Sequence, residues 1–251
     1  MNPPARRPGV DEFDADQVEY LLAQLDARLR DGGVAAAVFV VGGAAIAATG
    51  IRVGRLTADV DALTRDQAVI EEARVLAVQE GLSASWLNAN AAMWMPPLPD
   101  KVLDPPAQPG LRITYAEDGF LLATKLIAQR AKDADDIIAL ASRLGLTDAT
   151  PAQLEDHIRR YYTDPAALEF ILDGHDADQE VALLAQDASR MLNRIHRGQG
   201  ATPESKTPAP EGIAGPGSAI PAPRAPRATR EPEMPQPGAI RREPPGPGLD
   251  L

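Results

Sequence analysis

Proline is unevenly spread along this chain, and its distribution decides how much of it can fold. Of 24 prolines, 13 fall between Ala201 and Leu251 and 11 in the 200 residues before. With six glycines, 19 of those last 51 residues are Pro or Gly, above the ~25–30% that marks low-complexity chain. Proline withholds a backbone donor and fixes φ, and no apolar periodicity offers a face to bury. Residues 198–251 are therefore expected to be a disordered tail and residues 1–10 a flexible leader. The folding unit is then about 195 residues, enough for one sizeable core.

Charge narrows the partners. The tail carries six basic and six acidic residues, so the whole net charge of −11 belongs to residues 1–200. An acidic globule is a poor partner for a phosphate backbone, which argues against DNA binding but leaves room for a local basic cleft. There is no cysteine, which removes disulfides, thiolate metal sites and cysteine nucleophiles. The three histidines, His157, His175 and His196, are not spaced as a metal pair. No apolar run reaches ~18 residues and the N-terminus lacks an apolar signal region, so the expectation is a soluble, cytoplasmic protein with no membrane partner.

Local pattern gives the element order. Val18, Leu21, Leu22, Leu25 and Leu29 recur at helical spacing and stop at Gly32-Gly33. Val34 to Val41 is a continuous apolar run bounded by Gly-Gly on both sides, as in a strand buried on both faces. A short Ala-rich helix at 44–49 follows, then a strand over Thr57–Leu63 and a helix over Asp66–Glu80. Ser83–Leu87 and Leu111–Tyr115 read as short strands separated by a loop stiffened by six prolines between Pro96 and Pro109. From Gly119 the pattern is helical throughout, over 119–130, 133–144, 151–163, 165–173 and 177–196. The fold class is α+β: a small mixed-sheet core at 11–118 flanked by helices, then a helical lobe at 119–197.

The chemistry concentrates in Val40-Val41-Gly42-Gly43 and, fifteen residues on, Asp59-Val60-Asp61. Carboxylates at i and i+2 of a strand share a face, with Cα atoms about 7 Å apart, and can bind divalent metal together. Magnesium favours carboxylate oxygens combined with substrate phosphates, so the pair suits a Mg–nucleotide platform. Gly42 and Gly43 lack Cβ atoms, so their backbone N–H groups can approach a phosphate where a helix begins. Each piece alone is common; the order buried strand, Gly-Gly, helix, Asp-x-Asp strand is specific.

That order resembles the minimal nucleotidyltransferase motif of the DNA polymerase β superfamily. The form Arg55-Leu56-Thr57-Ala58-Asp59-Val60-Asp61 is most similar to the AbiEii-type toxin nucleotidyltransferases. A second block agrees: Leu121 to Ile137 resembles the family's Lys-Leu-x-Ala…Arg-x-Lys/Arg-Asp-x-x-Asp helix pair. The resemblance implies a nucleotidyltransferase core, with Asp59 and Asp61 holding Mg²⁺ and Gly42 and Gly43 holding the NTP triphosphate. Thr57 and Arg55 would flank it, Lys125 would contact phosphates, Asp136 would be the distal acid paired with Lys125, and Asp133 would orient the helix junction or a basic neighbour. The implied function is Mg-dependent transfer of NMP from an NTP to an RNA (such as tRNA) or protein acceptor, as the toxin of a toxin–antitoxin pair. The alternative is a catalytically weak relative serving as a binding or antitoxin partner module. Two departures favour that alternative: Ala44 stands where Ser or Thr is common, and the strand Leu111–Tyr115 carries no third carboxylate, only Glu117 and Asp118 beyond it.

Of the remaining candidates, His157 reads as a surface helical histidine and Tyr161-Tyr162 as packing for the helical lobe. Trp86 and Trp94 read as core or lid packing in preference to base-stacking platforms. Arg159, Arg160, Arg194 and Arg197 are the strongest local basic patches and read as solvated faces. The tail could present Pro-x-x-Pro-like segments to a partner.

Overall fold

The computed structural model describes residues 12–172 and 176–200, the last six without side-chain detail. The expectations for the leader, for the tail beyond residue 200 and for His175, and for the side chains of His196 and Arg197, lie outside the described residues; residues 198–200, expected as tail, continue the last helix. Within them the chain is a mixed α/β structure with a four-stranded mixed sheet and eight α-helices.

Helix α1 (Ala15–Asp31) starts at a reciprocal cap. Asp14 accepts from the Gln17 backbone N–H at 3.0 Å, and the Asp14 N–H donates to the Gln17 side chain at 3.0 Å. Its stripe Val18, Leu21, Leu22, Leu25 and Leu29 is buried. Strand β1 (Ala35–Val40) runs centrally between β2 (Val60–Leu63) and β4 (Gly110–Tyr115), with β3 (Leu87–Asn88) beyond β2. β1 pairs parallel with β4 and antiparallel with β2, while β2 and β3 are parallel. A strand flanked on both edges and covered on both faces has no polar side, which is why its sequence is uninterrupted Ala, Val and Phe.

Two expected strands are shorter than their patterns. Of Thr57–Leu63 only Val60–Leu63 pairs as a strand, and Thr57 makes an isolated bridge to Phe13. The Thr57 hydroxyl donates to the Asp59 carbonyl at 3.0 Å and closes a local bend in place of a ladder. Ser83–Leu87 contributes only Leu87 to β3, because Ser83 accepts from the Ser85 and Trp86 backbone N–H groups through its hydroxyl and carbonyl. A 3₁₀ turn, Asn90–Trp94, precedes the proline loop where no element was expected.

Beyond α2 (Gly42–Ala48) and α3 (Gln67–Glu80), the remaining helices are α4 (Asp118–Ala128), α5 (Ala134–Arg143), α6 (Pro151–Tyr161), α7 (Pro165–Ile171) and α8 (Ala177–Gly200). α6 and α7 each begin with proline at the first helical position behind a Thr150 or Asp164 cap. One apolar cluster runs through sheet and helices, and Phe120 of α4 meets Phe39 of β1 edge-on at 5.3 Å. His157 is not on the surface. It forms part of the buried stripe Leu154, His157, Ile158 of α6, and its Nε2 hydrogen-bonds the Gly119 carbonyl at 2.9 Å. Burial pushes the His157 pKa down, so the ring stays neutral near pH 7 and donates through Nε2.

The α4–α6 contact depends on glycine at 119. A Cβ there would overlap the Tyr161 hydroxyl oxygen. Gly119→Ala should therefore destabilise by ~1–3 kcal/mol through overpacking, although alanine is the better helix former. The same change in a Tyr161→Phe background should cost less. Urea unfolding of the four proteins checks this, and equal stability of Gly119→Ala and wild type would contradict the packing account.

Candidate active site

A cavity of about 790 Å³ opens beside the β1–α2 and β2–β3 edges of the sheet. Gly42, Gly43, Arg55, Thr57, Asp59, Asp61 and Lys125 all line it, and so does Asp133. Of the expected site residues Asp136 does not; it lies fully buried behind the wall, gripped by residues that do.

The two glycines are fitted to the residues facing them. Gly42 has φ +62°, and a Cβ there would stand 3.0 Å from an Asp61 carboxylate oxygen. A Cβ on Gly43 would be 2.7 Å from the Thr57 hydroxyl and 3.1 Å from the Arg55 guanidinium. The Val41 backbone N–H donates to the Asp61 carbonyl at 2.9 Å, which fixes the register between turn and acid pair. Gly-Gly and the Arg-x-Thr-x-Asp-x-Asp segment are thus one packed unit. Asp61 lies on β2, whereas Asp59 sits in the bend just before it, held by Thr57 and by Asn88, whose Nδ2 donates to Asp59 at 2.9 Å. Burial, and next the neighbouring Asp59 charge, pushes the Asp61 carboxyl above its ordinary pKa. Arg130, the Ala91 backbone N–H and Lys125 oppose that rise.

The second wall is cationic. Lys125, only 4% exposed, donates to Asp133 at 2.5 Å and to Asp136 at 3.0 Å. Arg130 binds Asp133 at 2.7 Å. Asp136 also accepts from Arg52 at 2.7 Å and from Arg55 at 3.0 and 3.2 Å. The left-handed Gln129 (φ 36°) ends α4, and the short turn Ala131–Asp133 starts α5 back toward it. That reversal brings residues 125, 133 and 136 together. Burial alone would raise both carboxyls. At Asp133 the Arg130 and Lys125 hydrogen bonds outweigh it, and at Asp136 those of Arg55 and Arg52 with the Lys125 charge do so, holding both below the ordinary value.

Among the charged residues lining the cavity, Arg52, Arg55, Lys125, Arg130 and Lys132 balance Glu12, Asp59, Asp61, Asp133 and Asp135. The net −11 therefore lies outside it. Arg52, Asn88 and the role of Arg130 beside the acid pair carried no sequence signal. Asn88 is placed only by the register Asp61↔Asn88. Glu117 and Asp118 are engaged elsewhere, with Tyr161 at 2.9 Å and Arg143 at 2.7 Å. Among the described residues no three His, Cys, Asp or Glu side chains group as metal ligands. Asp59 and Asp61 nevertheless fit magnesium as a two-carboxylate platform, since this ion fills its remaining positions with water and phosphate oxygens. Set against family models, curated proteins and solved structures, the chain matches none.

The buried cluster makes a stability prediction. Asp136→Asn leaves three cations around an uncharged amide and should cost ~3–5 kcal/mol. Asp136 has a depressed folded pKa, so its contribution is complete above the unfolded value of ~3.9 and is lost as pH falls through the folded value. Urea midpoints between about pH 6 and about pH 3 should fall steeply for wild type and less steeply for the variant. Parallel pH profiles would remove Asp136 as the acid-sensitive group.

Proposed function

We propose that this protein is a Mg-dependent nucleotidyltransferase with the core fold of the DNA polymerase β superfamily, moving NMP from an NTP to an RNA or protein hydroxyl. One observation carries the reading: a single cavity joins a carboxylate pair, a glycine turn packed onto that pair, and a cationic wall. A nucleoside triphosphate needs this division, because its metal requires oxygen anions and its phosphates require cations.

In this reading Asp59 and Asp61 hold Mg²⁺, which supplies charge neutralisation at the phosphates. Asn88 and Thr57 fix the position of Asp59. Gly42 and Gly43 leave the cavity floor open, and Arg55 and Arg130 offer guanidinium donors beside it. Lys125 has two of its three N–H donors committed to Asp133 and Asp136, which fix it in the cavity wall, and Asp136 acts as its positioning residue. The acceptor oxygen bonds to the α-phosphorus, the bond to the bridging oxygen breaks, and pyrophosphate and the acceptor proton leave. Such a reaction asks the protein for in-line positioning and electrostatics more than for covalent chemistry. A toxin acting on tRNA or a protein, paired with an antitoxin, fits this activity.

Calorimetry with Mg·NTP tests the reading. Wild type should bind, and Asp59→Ala should bind at least about tenfold more weakly. Asp61→Asn should lose binding as well, yet unfold in EDTA no earlier than wild type, because it removes a half-buried charge that the fold disfavours. Label from the α-phosphate should pass to RNA or protein in a lysate with wild type and not with either variant. Wild type that binds none of the four NTPs with Mg²⁺ refutes the assignment.

A further inference from the structure

Building on the cavity as a Mg·NTP site, we propose that Trp94 is the stacking platform for the nucleobase, making the turn Asn90–Trp94 the base-binding wall. The chain has two tryptophans in opposite situations. Trp86 is 1% exposed, with its indole N–H donating to the Ala73 carbonyl at 2.9 Å. Trp94 is 48% exposed and lines the cavity that holds Asp59 and Asp61. A large aromatic ring left half open on the lining of a polar cavity offers an apolar face that a flat base could cover.

The turn is anchored to the acid pair and held at both ends. The Asn90 backbone N–H donates to the Asn88 side-chain oxygen at 2.8 Å, and the same amide donates to Asp59. The Ala91 backbone N–H lies against the Asp61 carboxylate. In a 3₁₀ helix residues i and i+3 eclipse with a rise of about 2.0 Å per residue. Trp94 therefore sits on the Ala91 side of the turn, about 6 Å further along its axis. At the far end the Tyr162 hydroxyl, from the end of α6, donates to the Trp94 carbonyl at 2.8 Å. Pro96 and Pro97 then stiffen the exit. The platform is thus placed one step from the metal-binding carboxylates, in the order phosphate then base. Stacking is available to every base and grows with ring area, so purine nucleotides should bind more tightly than pyrimidine nucleotides, with little distinction between ATP and GTP.

Calorimetric titration of the full chain with Mg·ATP and with Mg·tripolyphosphate, which lacks a base, tests this in wild type, Trp94→Ala and Trp94→Phe. Trp94→Ala should weaken ATP about tenfold, equivalent to ~1.4 kcal/mol, and leave tripolyphosphate within about twofold. Trp94→Phe should retain most ATP affinity. In wild type ATP should quench tryptophan emission and tripolyphosphate should not. Unchanged ATP affinity in Trp94→Ala overturns the proposal, as does an equal loss for both ligands, which would make Trp94 a structural residue. If wild type binds tripolyphosphate and ATP equally well, the base has no subsite and the proposal fails. If it binds neither, the nucleotide reading fails first and this one with it.

Discussion

The buried contact of Lys125 with Asp133 and Asp136 is the interaction on which the rest of this structure depends. It closes the reversal between α4 and α5, and through Arg52 and Arg55 it fastens that helix pair to the segment leading into the acid pair. Apolar residues of similar volume often stabilise as well as buried ions, so stability alone does not account for three cations around one carboxylate. The cluster does what an apolar contact could not: it fixes cations at the edge of a cavity with their countercharges behind them. Each lines the cavity while the buried acids offset its desolvation.

Against this cationic wall stands a unit with the opposite energetic character. The half-buried Asp61 carboxylate has the Asp59 charge beside it, and its pKa rises accordingly. The glycines at 42 and 43 permit that crowding, since a Cβ at either would meet Asp61, Thr57 or Arg55 at 3.1 Å or less. The fold therefore accepts an unfavourable charge at one wall and pairs its acids with a surplus of cations at the other. Local conflict of this kind is common where a protein surface is built to bind.

Much of this was legible in the sequence, for identifiable reasons. The continuous Val34–Val41 run marks a strand buried on both faces, and the Asp-x-Asp and Gly-Gly segments turn out to line one cavity. Other features depend on tertiary register that no local pattern encodes. Asn88 meets Asp59 because β3 is parallel to β2, and Arg52 reaches Asp136 across 84 positions. His157 was readable and missed: its place between Leu154 and Ile158 at helical spacing puts it on the buried stripe of α6. Trp94 could not be told from Trp86 by sequence, since both flank the same loop. Trp86 precedes β3 and is buried, whereas Trp94 ends the 3₁₀ turn and is half exposed.

Net charge is the sequence property most changed by the structure. An excess of −11 over the folding unit argues against a phosphate-bearing ligand only if that charge reaches the ligand. At physiological ionic strength the Debye length is about 8 Å, so exposed acids beyond that distance are largely screened, while charges sheltered in a cavity wall are not. The cavity's own charged walls balance, with the buried cluster placing lysine and arginine where screening is weakest. Binding of a small polyphosphate is governed by those near charges. Capture of a long polyanion is governed by the wider surface, which repels it. The same arithmetic that speaks against a nucleic-acid backbone docking broadly on this protein is therefore compatible with a nucleoside triphosphate. For the proposed transfer, it favours an acceptor that presents one hydroxyl at the cavity mouth over one that must lie along the acidic outer surface.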